Sequence, residues 1–201
     1  FDYNPGSPYG IADFQSAMVT DPSDPNVGSP VLMLYDVKDA VAAYVAEGFA
    51  AKQIIVGMPI YGRMVTVTQF GDDHYGLYQP LASATPPQGE YDDAQSGNTG
   101  VFDYSCIVRA SACKLSGAAL LAGIQIAPAA AHAKYANNSL SQWAYIPNKN
   151  AVITFDDAVG IAAKAQWAKQ YGGAMFWSLS GDLPADDQDS LVNAAYNSLK
   201  S

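Results

Sequence analysis

Glutamate is a common general acid, and this chain has only two: Glu47 and Glu90. The other 17 of its 19 acidic residues are aspartates. Any Glu-based proton transfer must therefore use one of these two or a group outside the sequence. Glu47 falls in a helical stretch and Glu90 in QGEYDD. The two cysteines, Cys106 and Cys113, are seven positions apart. On one helix they would be about 10 Å apart along the axis, too far to bond; on a loop they could close a small ring. A disulfide and two buried thiols both remain open. His74 and His132 lack metal-ligand spacing, so neither a metal nor a cofactor is expected. Asp182, Asp186, Asp187 and Asp189 crowd one short stretch, but without the EF-hand spacing they read as a solvated turn. Asn137-Asn138-Ser139 is a glycosylation sequon, relevant in a protein secreted by a eukaryote.

These side chains must be placed by a chain of 201 residues, 49% apolar and 14% charged. That composition excludes disorder. The formal net charge of −9 disfavours nucleic acid and anionic membrane, whose phosphates require clustered Lys and Arg. No apolar run approaches the roughly 18–20 residues of a membrane span.

Residues 4–30, rich in Pro, Gly, Ser, Asp and Asn, read as a long loop. Residues 36–49 read as a helix: Val37, Ala40, Val41, Tyr44 and Val45 fall at helical spacing between an N-capping Asp36 and a stop at Gly48. The run from Ile54 to Ile60 is nearly all apolar, as in a strand buried on both faces. Residues 64–105 change to short alternating pieces and turns. Residues 106–136 are Ala-rich and helical, interrupted at Pro128. A short strand, AVITF at 151–155, precedes a helix capped by Asp156 and Asp157 that stops at Gly172-Gly173. AMFWSL then reads as a second buried strand, and a helix from about Asp189 to Lys200 closes the chain. Two αβ units thus flank an insertion of antiparallel character.

Three stretches, in order, resemble the C-terminal portion of glycoside hydrolase family 18, the chitinases. FDYNPG at 1–6 is similar to the end of that family's sixth barrel strand. IIVGMPIYGR at 54–63 is similar to the seventh strand and the turn after it. ITFDD at 153–157, the helix bearing Lys164, and GGAMFWSLSGD at 172–182 are similar to the eighth strand and its approach. GLYQP and GVFDYSCI resemble the family's α+β insertion. The resemblance implies an α/β chain forming about strands six to eight of a (β/α)₈ TIM barrel. Residues 1–64 and 151–201 would belong to the barrel and 65–150 to the insertion.

Sites in such barrels lie at the C-terminal strand ends. By resemblance, Asp2, Tyr61, Arg63 and Trp177 would bind substrate there. The indole would floor the subsite of the sugar being cleaved, since its flat apolar face suits the C–H side of a pyranose. The other three would meet hydroxyl and acetamido groups. Trp143 and Tyr145 resemble insertion residues near the cleft, although packing explains them as well. The implied partner is chitin or its N-acetylglucosamine oligosaccharides. The implied reaction is retaining hydrolysis assisted by the substrate's own acetamido oxygen, and the implied location is extracellular.

The family carries its acid in D-x-x-D-x-D-x-E on the fourth strand, and this sequence has no such motif. Phe1 stands where the family usually has Tyr, so it offers no hydroxyl to the acetamido group. A complete barrel usually takes about 250 residues. The expectation is therefore a C-terminal piece whose strands one to five and catalytic Glu lie elsewhere. The rival expectations are a non-catalytic, lectin-like chitin binder and an inert protein of the same fold.

Overall fold

The computed structural model describes residues 10–29, 35–91 and 100–201. Helix α1 (Val37–Ala46) begins where local chemistry predicts: the Asp36 carboxylate accepts from the Asp39 amide at 2.8 Å. The other Asp36 oxygen accepts from the amide and hydroxyl of Thr20, fastening the preceding loop to the helix start. Gly48 follows the C-cap with φ of +98°, a left-handed value that glycine adopts without a Cβ clash.

Strand β1 (Ile55–Pro59) comes next, and Ile60 carries the chain directly into β2 (Tyr61–Thr66). After β3 (Val101–Asp103), the Ala-rich stretch divides into α2 (Tyr104–Val108), a 3₁₀ turn Ala110–Ala112 and α3 (Gly117–Leu120). It continues through β4 (Gln125–Ile126) to α4 (Ala129–Tyr135), which starts immediately after Pro128. The expected helical stretch is thus several short pieces. Strands β5 (Gln142–Ile146) and β6 (Ala151–Phe155), helix α5 (Ala158–Ala168), strand β7 (Gly173–Trp177) and helix α6 (Leu191–Lys200) complete the order.

Two sheets result. β1 and β7 pair in parallel, with Ile55 opposite Gly173 and Pro59 opposite Trp177. The other sheet is antiparallel, in the order β3-β2-β6-β5-β4. The expected boundaries at 64 and 151 meet this second sheet: β2 runs through residue 64, and Ala151–Phe155 pairs antiparallel with both β2 and β5. β6 is buried along its whole length and sorts its side chains by the period-two rule. Ala151, Ile153 and Phe155 enter a core with Met58, Ile60, Phe102, Ile161 and Leu191. Val152 enters a second core with Phe14, Leu77 and Trp143. The antiparallel sheet therefore lies between two apolar layers.

The parallel pair departs from the expectation of burial on both faces. Val56 and Met58 are buried, but Ile55 and Met175 are exposed. Exposed Ile55, Tyr44 and Met175 border an apolar groove between α1 and the pair.

Helix α5 is capped by Asp157, whose carboxylate accepts from the Gly160 amide at 2.8 Å. Asp156, expected to share that role, is instead fully buried and bonded to Lys164 Nζ at 2.6 Å and Ser141 Oγ at 2.8 Å. It directly follows β6, and its carboxylate points inward, towards the lysine of α5. Asp182 is likewise not simply a solvated turn residue. It accepts from the amides of Leu191 and Val192 and from Ser190 Oγ, anchoring the start of α6.

Candidate functional site

The sheets meet at one end of β1 and β7. Ile60 donates its amide to the Trp177 carbonyl at 2.8 Å, while its own carbonyl accepts from the Tyr104 amide at 3.1 Å. One residue thus joins the parallel pair to the antiparallel sheet. The next residue, Tyr61, lies opposite Asp103 in the β2–β3 register.

Trp177 ends β7 with 63% of its surface exposed, a large apolar area left in water at a strand end. Tyr61 is buried, and its carbonyl accepts from Gln15 Nε2 at 2.7 Å. Arg63 is half-buried, its guanidinium carbon 5.8 Å from the Tyr61 ring centroid. The structure therefore brings Tyr61, Arg63 and Trp177 to the same junction, with Trp177 alone presenting a broad face. Asp2 lies outside the described residues. Asn137 is exposed in the turn after α4, and Ser139 of the same sequon is buried, its hydroxyl donating to Ala136 O. Trp143 and Tyr145 follow the packing alternative. Trp143 is fully buried and donates to His74 O at 3.1 Å, and the half-buried Tyr145 donates to Gln125 Oε1.

A polar cluster beside this junction was not legible in the sequence. Asp103 Oδ2 accepts from Tyr91 OH and from Lys114 Nζ, each at 2.8 Å. The same ammonium donates to Ser180 O at 2.7 Å, three residues beyond Trp177. Hydrogen bonding to Asp103 holds the Lys114 ammonium above its ordinary pKa. The buried Glu90 accepts from the amides of Asp103 and Lys114. Burial raises its carboxyl, although both amides oppose the rise. Glu90 thus binds backbone inside the fold. Glu47, the other glutamate, is the exposed C-cap of α1.

Cys106 and Cys113 form a disulfide, with Cα atoms 4.2 Å apart. Only Cys106 lies on α2; the chain then turns, which brings Cys113 back within reach. The Glu90 carboxylate lies within 4.8 Å of both sulfurs, the one grouping of three metal-type side chains among the described residues. With both sulfurs bonded to each other, it does not offer a thiolate site. His74 and His132 are occupied in packing: His74 stands edge-on to Tyr135, and His132 stacks on Trp143 while donating to Ser141 O. No helix of the described residues is long and apolar enough to cross a membrane.

A family model, Glycosyl hydrolases family 18, matches residues 4–182. Chitinase 1 of Aphanocladium album is 27% identical over 205 aligned positions, covering all of this chain and 38% of the relative. A chitinase structure from Rhizomucor miehei superposes with a TM-score of 0.66 at 24% identity, over 92% of this chain and 48% of its own. Human YKL-39, described as a pseudo-chitinase with retained chitooligosaccharide binding, superposes with a TM-score of 0.63 at 22% identity, over 93% and 45%. The two structural likenesses bear on the fold alone. The chain spans less than half the length of each of these relatives.

Proposed function

Because the chain belongs to glycosyl hydrolases family 18, we propose that it supplies the sugar-holding half of a chitinase-like cleft. The supporting observation is the exposed Trp177 at the end of β7, tied through Ile60 to Tyr61 and Arg63. An aromatic face in water beside fixed polar groups suits a pyranose, which is apolar on its C–H face and polar at its rim. In this reading β1 and β7 are the seventh and eighth strands of a TIM barrel, with the antiparallel sheet as its insertion. Trp177 floors the subsite of the reacting sugar, Tyr61, Arg63 and Asp2 hold its substituents, and the substrate is a β-1,4-linked N-acetylglucosamine polymer. The disulfide accords with an extracellular protein.

The reaction assigned to the complete cleft is retaining, substrate-assisted hydrolysis, with the acid on polypeptide outside this sequence. Two observations support that division. Glu90 is buried against backbone amides, and Glu47 is the exposed C-cap of α1. The chain also matches less than half of each relative's length. The acid-motif absence equally favours a second reading, a chitooligosaccharide binder without turnover.

Fluorescence titration of the full chain with N-acetylchitohexaose tests the shared core of both readings. Saturable quenching that Trp177→Ala abolishes is expected; binding unchanged in that variant overturns the site. Hydrolysis by this chain that Glu90→Gln removes would overturn the assignment of the acid. Intact-mass analysis and sequencing of the native polypeptide separate enzyme from binder, through the presence or absence of D-x-x-D-x-D-x-E.

A further inference from the structure

The cleft reading leaves one buttress unexplained. Trp177 presents a wide face to water, so packing of its ring does little to fix it, yet a sugar platform must hold its angle. The turn that follows, Ser178–Gly181, is held by a lysine from the loop before α3. Lys114 Nζ reaches Ser180 O at 2.7 Å and Asp103 Oδ2 at 2.8 Å. Asp103 is the register partner of Tyr61. A Cβ at Gly181 would lie 2.5 Å from Ile60 O and 2.9 Å from Asp103 Oδ1, so this turn also packs directly on the β1–β2 link and on β3. Ser178 Oγ and Ser180 Oγ lie 2.9 Å apart within it.

We propose that Lys114 is a positioning residue for the sugar site: its ammonium clamps the turn after Trp177 to Asp103, fixing the indole relative to Tyr61 and Arg63. This rests on the cleft reading above and adds to it a residue from the antiparallel sheet's side of the junction. The chemistry suits the task. An ammonium has three donors and can bind a carboxylate and a carbonyl together. Nothing local would place it there, because Ser180 is 66 positions away in sequence. Its own backbone is secured in turn. Lys114 directly follows Cys113 of the disulfide, and its amide donates to Glu90, which also accepts from the Asp103 amide. Tyr91 completes the arrangement by donating to the same Asp103 oxygen, with its ring centroid 5.9 Å from the ammonium.

Lys114 is substantially exposed, so its ion pair should contribute little to global stability. Position and stability can therefore be read separately. Lys114→Met in the full chain should leave the thermal midpoint within a few degrees of the parent. The Trp177 signal, taken as the difference between each protein and its Trp177→Phe counterpart, should lose anisotropy and become more accessible to acrylamide. Affinity for N-acetylchitohexaose should fall about five- to tenfold. Asp103→Asn, which keeps an acceptor but removes the charge, should shift both readouts the same way by less, and it replaces Lys114→Met if that variant does not fold. Unchanged anisotropy, quenching and affinity overturn the clamp. If the parent chain shows no Trp177-dependent binding at all, the cleft reading itself fails, whatever the variants do.

Discussion

Ile60 donates to the Trp177 carbonyl, and a methyl group on Gly181 would press against the carbonyl of that same Ile60 at 2.5 Å. The turn beyond the candidate sugar platform is thus packed against the residue that links the two sheets. Gly181→Ala puts the methyl against backbone, which cannot swing aside as a flexible side chain would. A loss of about 1–3 kcal/mol is expected from such overpacking, with a shift in Trp177 emission. Urea denaturation followed by fluorescence measures both, and an unchanged midpoint and spectrum would contradict the packing.

Lys164 and Asp156 are both essentially withdrawn from solvent, and Lys164 also donates to the carbonyl and hydroxyl of Ser16. Desolvation pushes the Asp156 carboxyl up and the Lys164 amine down, while their mutual attraction opposes both shifts. Removing one partner strands the other. Lys164→Met should cost about 3–5 kcal/mol. The Asp156→Leu/Lys164→Met double variant should cost less than the sum of its single variants. A double-mutant cycle in denaturant gives the coupling; strict additivity would argue against the pair.

Asp13 predicts a dependence on pH. Burial first, then the adjacent charge of Asp24, pushes its carboxyl up to about 7, against the opposing hydrogen bond from the Phe14 amide. Asp24 is raised as well, chiefly by burial, while Asp21 and Tyr78 complete the surroundings. Between about 4 and 7 the folded chain keeps a proton that the unfolded chain has released, so stability falls as pH rises through this window. The contribution is full below the unfolded value of about 4 and gone above about 7. Thermal midpoints at pH 5 and pH 8 should differ more for the parent than for Asp13→Asn, and at pH 8 the variant should be the more stable. Equal differences would remove Asp13 from the account.

The Cys106–Cys113 bond closes a short loop that also carries the approach to Lys114. Loop-closure entropy alone makes it worth roughly 2–3 kcal/mol. Cys106→Ala/Cys113→Ala should lower unfolding free energy by that amount, and dithiothreitol should lower the parent's alone. Thiol titration of the unfolded parent should find no free thiol before reduction and two afterwards. A free thiol before reduction would contradict the bond.

Residue types and spacing were enough to place α1 between Asp36 and Gly48, to start α5 at Asp157, and to identify the parallel strands around Met58 and Phe176. They also gave the order of the family motifs and reduced the possible glutamate acids to two. These features are local: a cap acts within one helical turn, and a short apolar run between turn signals marks a strand. Other features depend on where distant segments meet. AVITF reads as a strand in any context, but only the fold decides that Ala151–Phe155 joins the antiparallel sheet. Asp156 has the spacing of a cap, yet tertiary packing turns it onto Lys164. The apolar run ending at Trp177 by itself suggests a buried strand, whereas the family motif around it leads to an indole in a cleft; in the fold Trp177 is exposed, as is Met175 two residues earlier. Glu90, Asp103, Lys114 and Ser180 share no spacing that announces them. Three separate segments bring them together, because a hydrogen bond needs only a few ångströms of proximity and sequence distance does not determine that proximity.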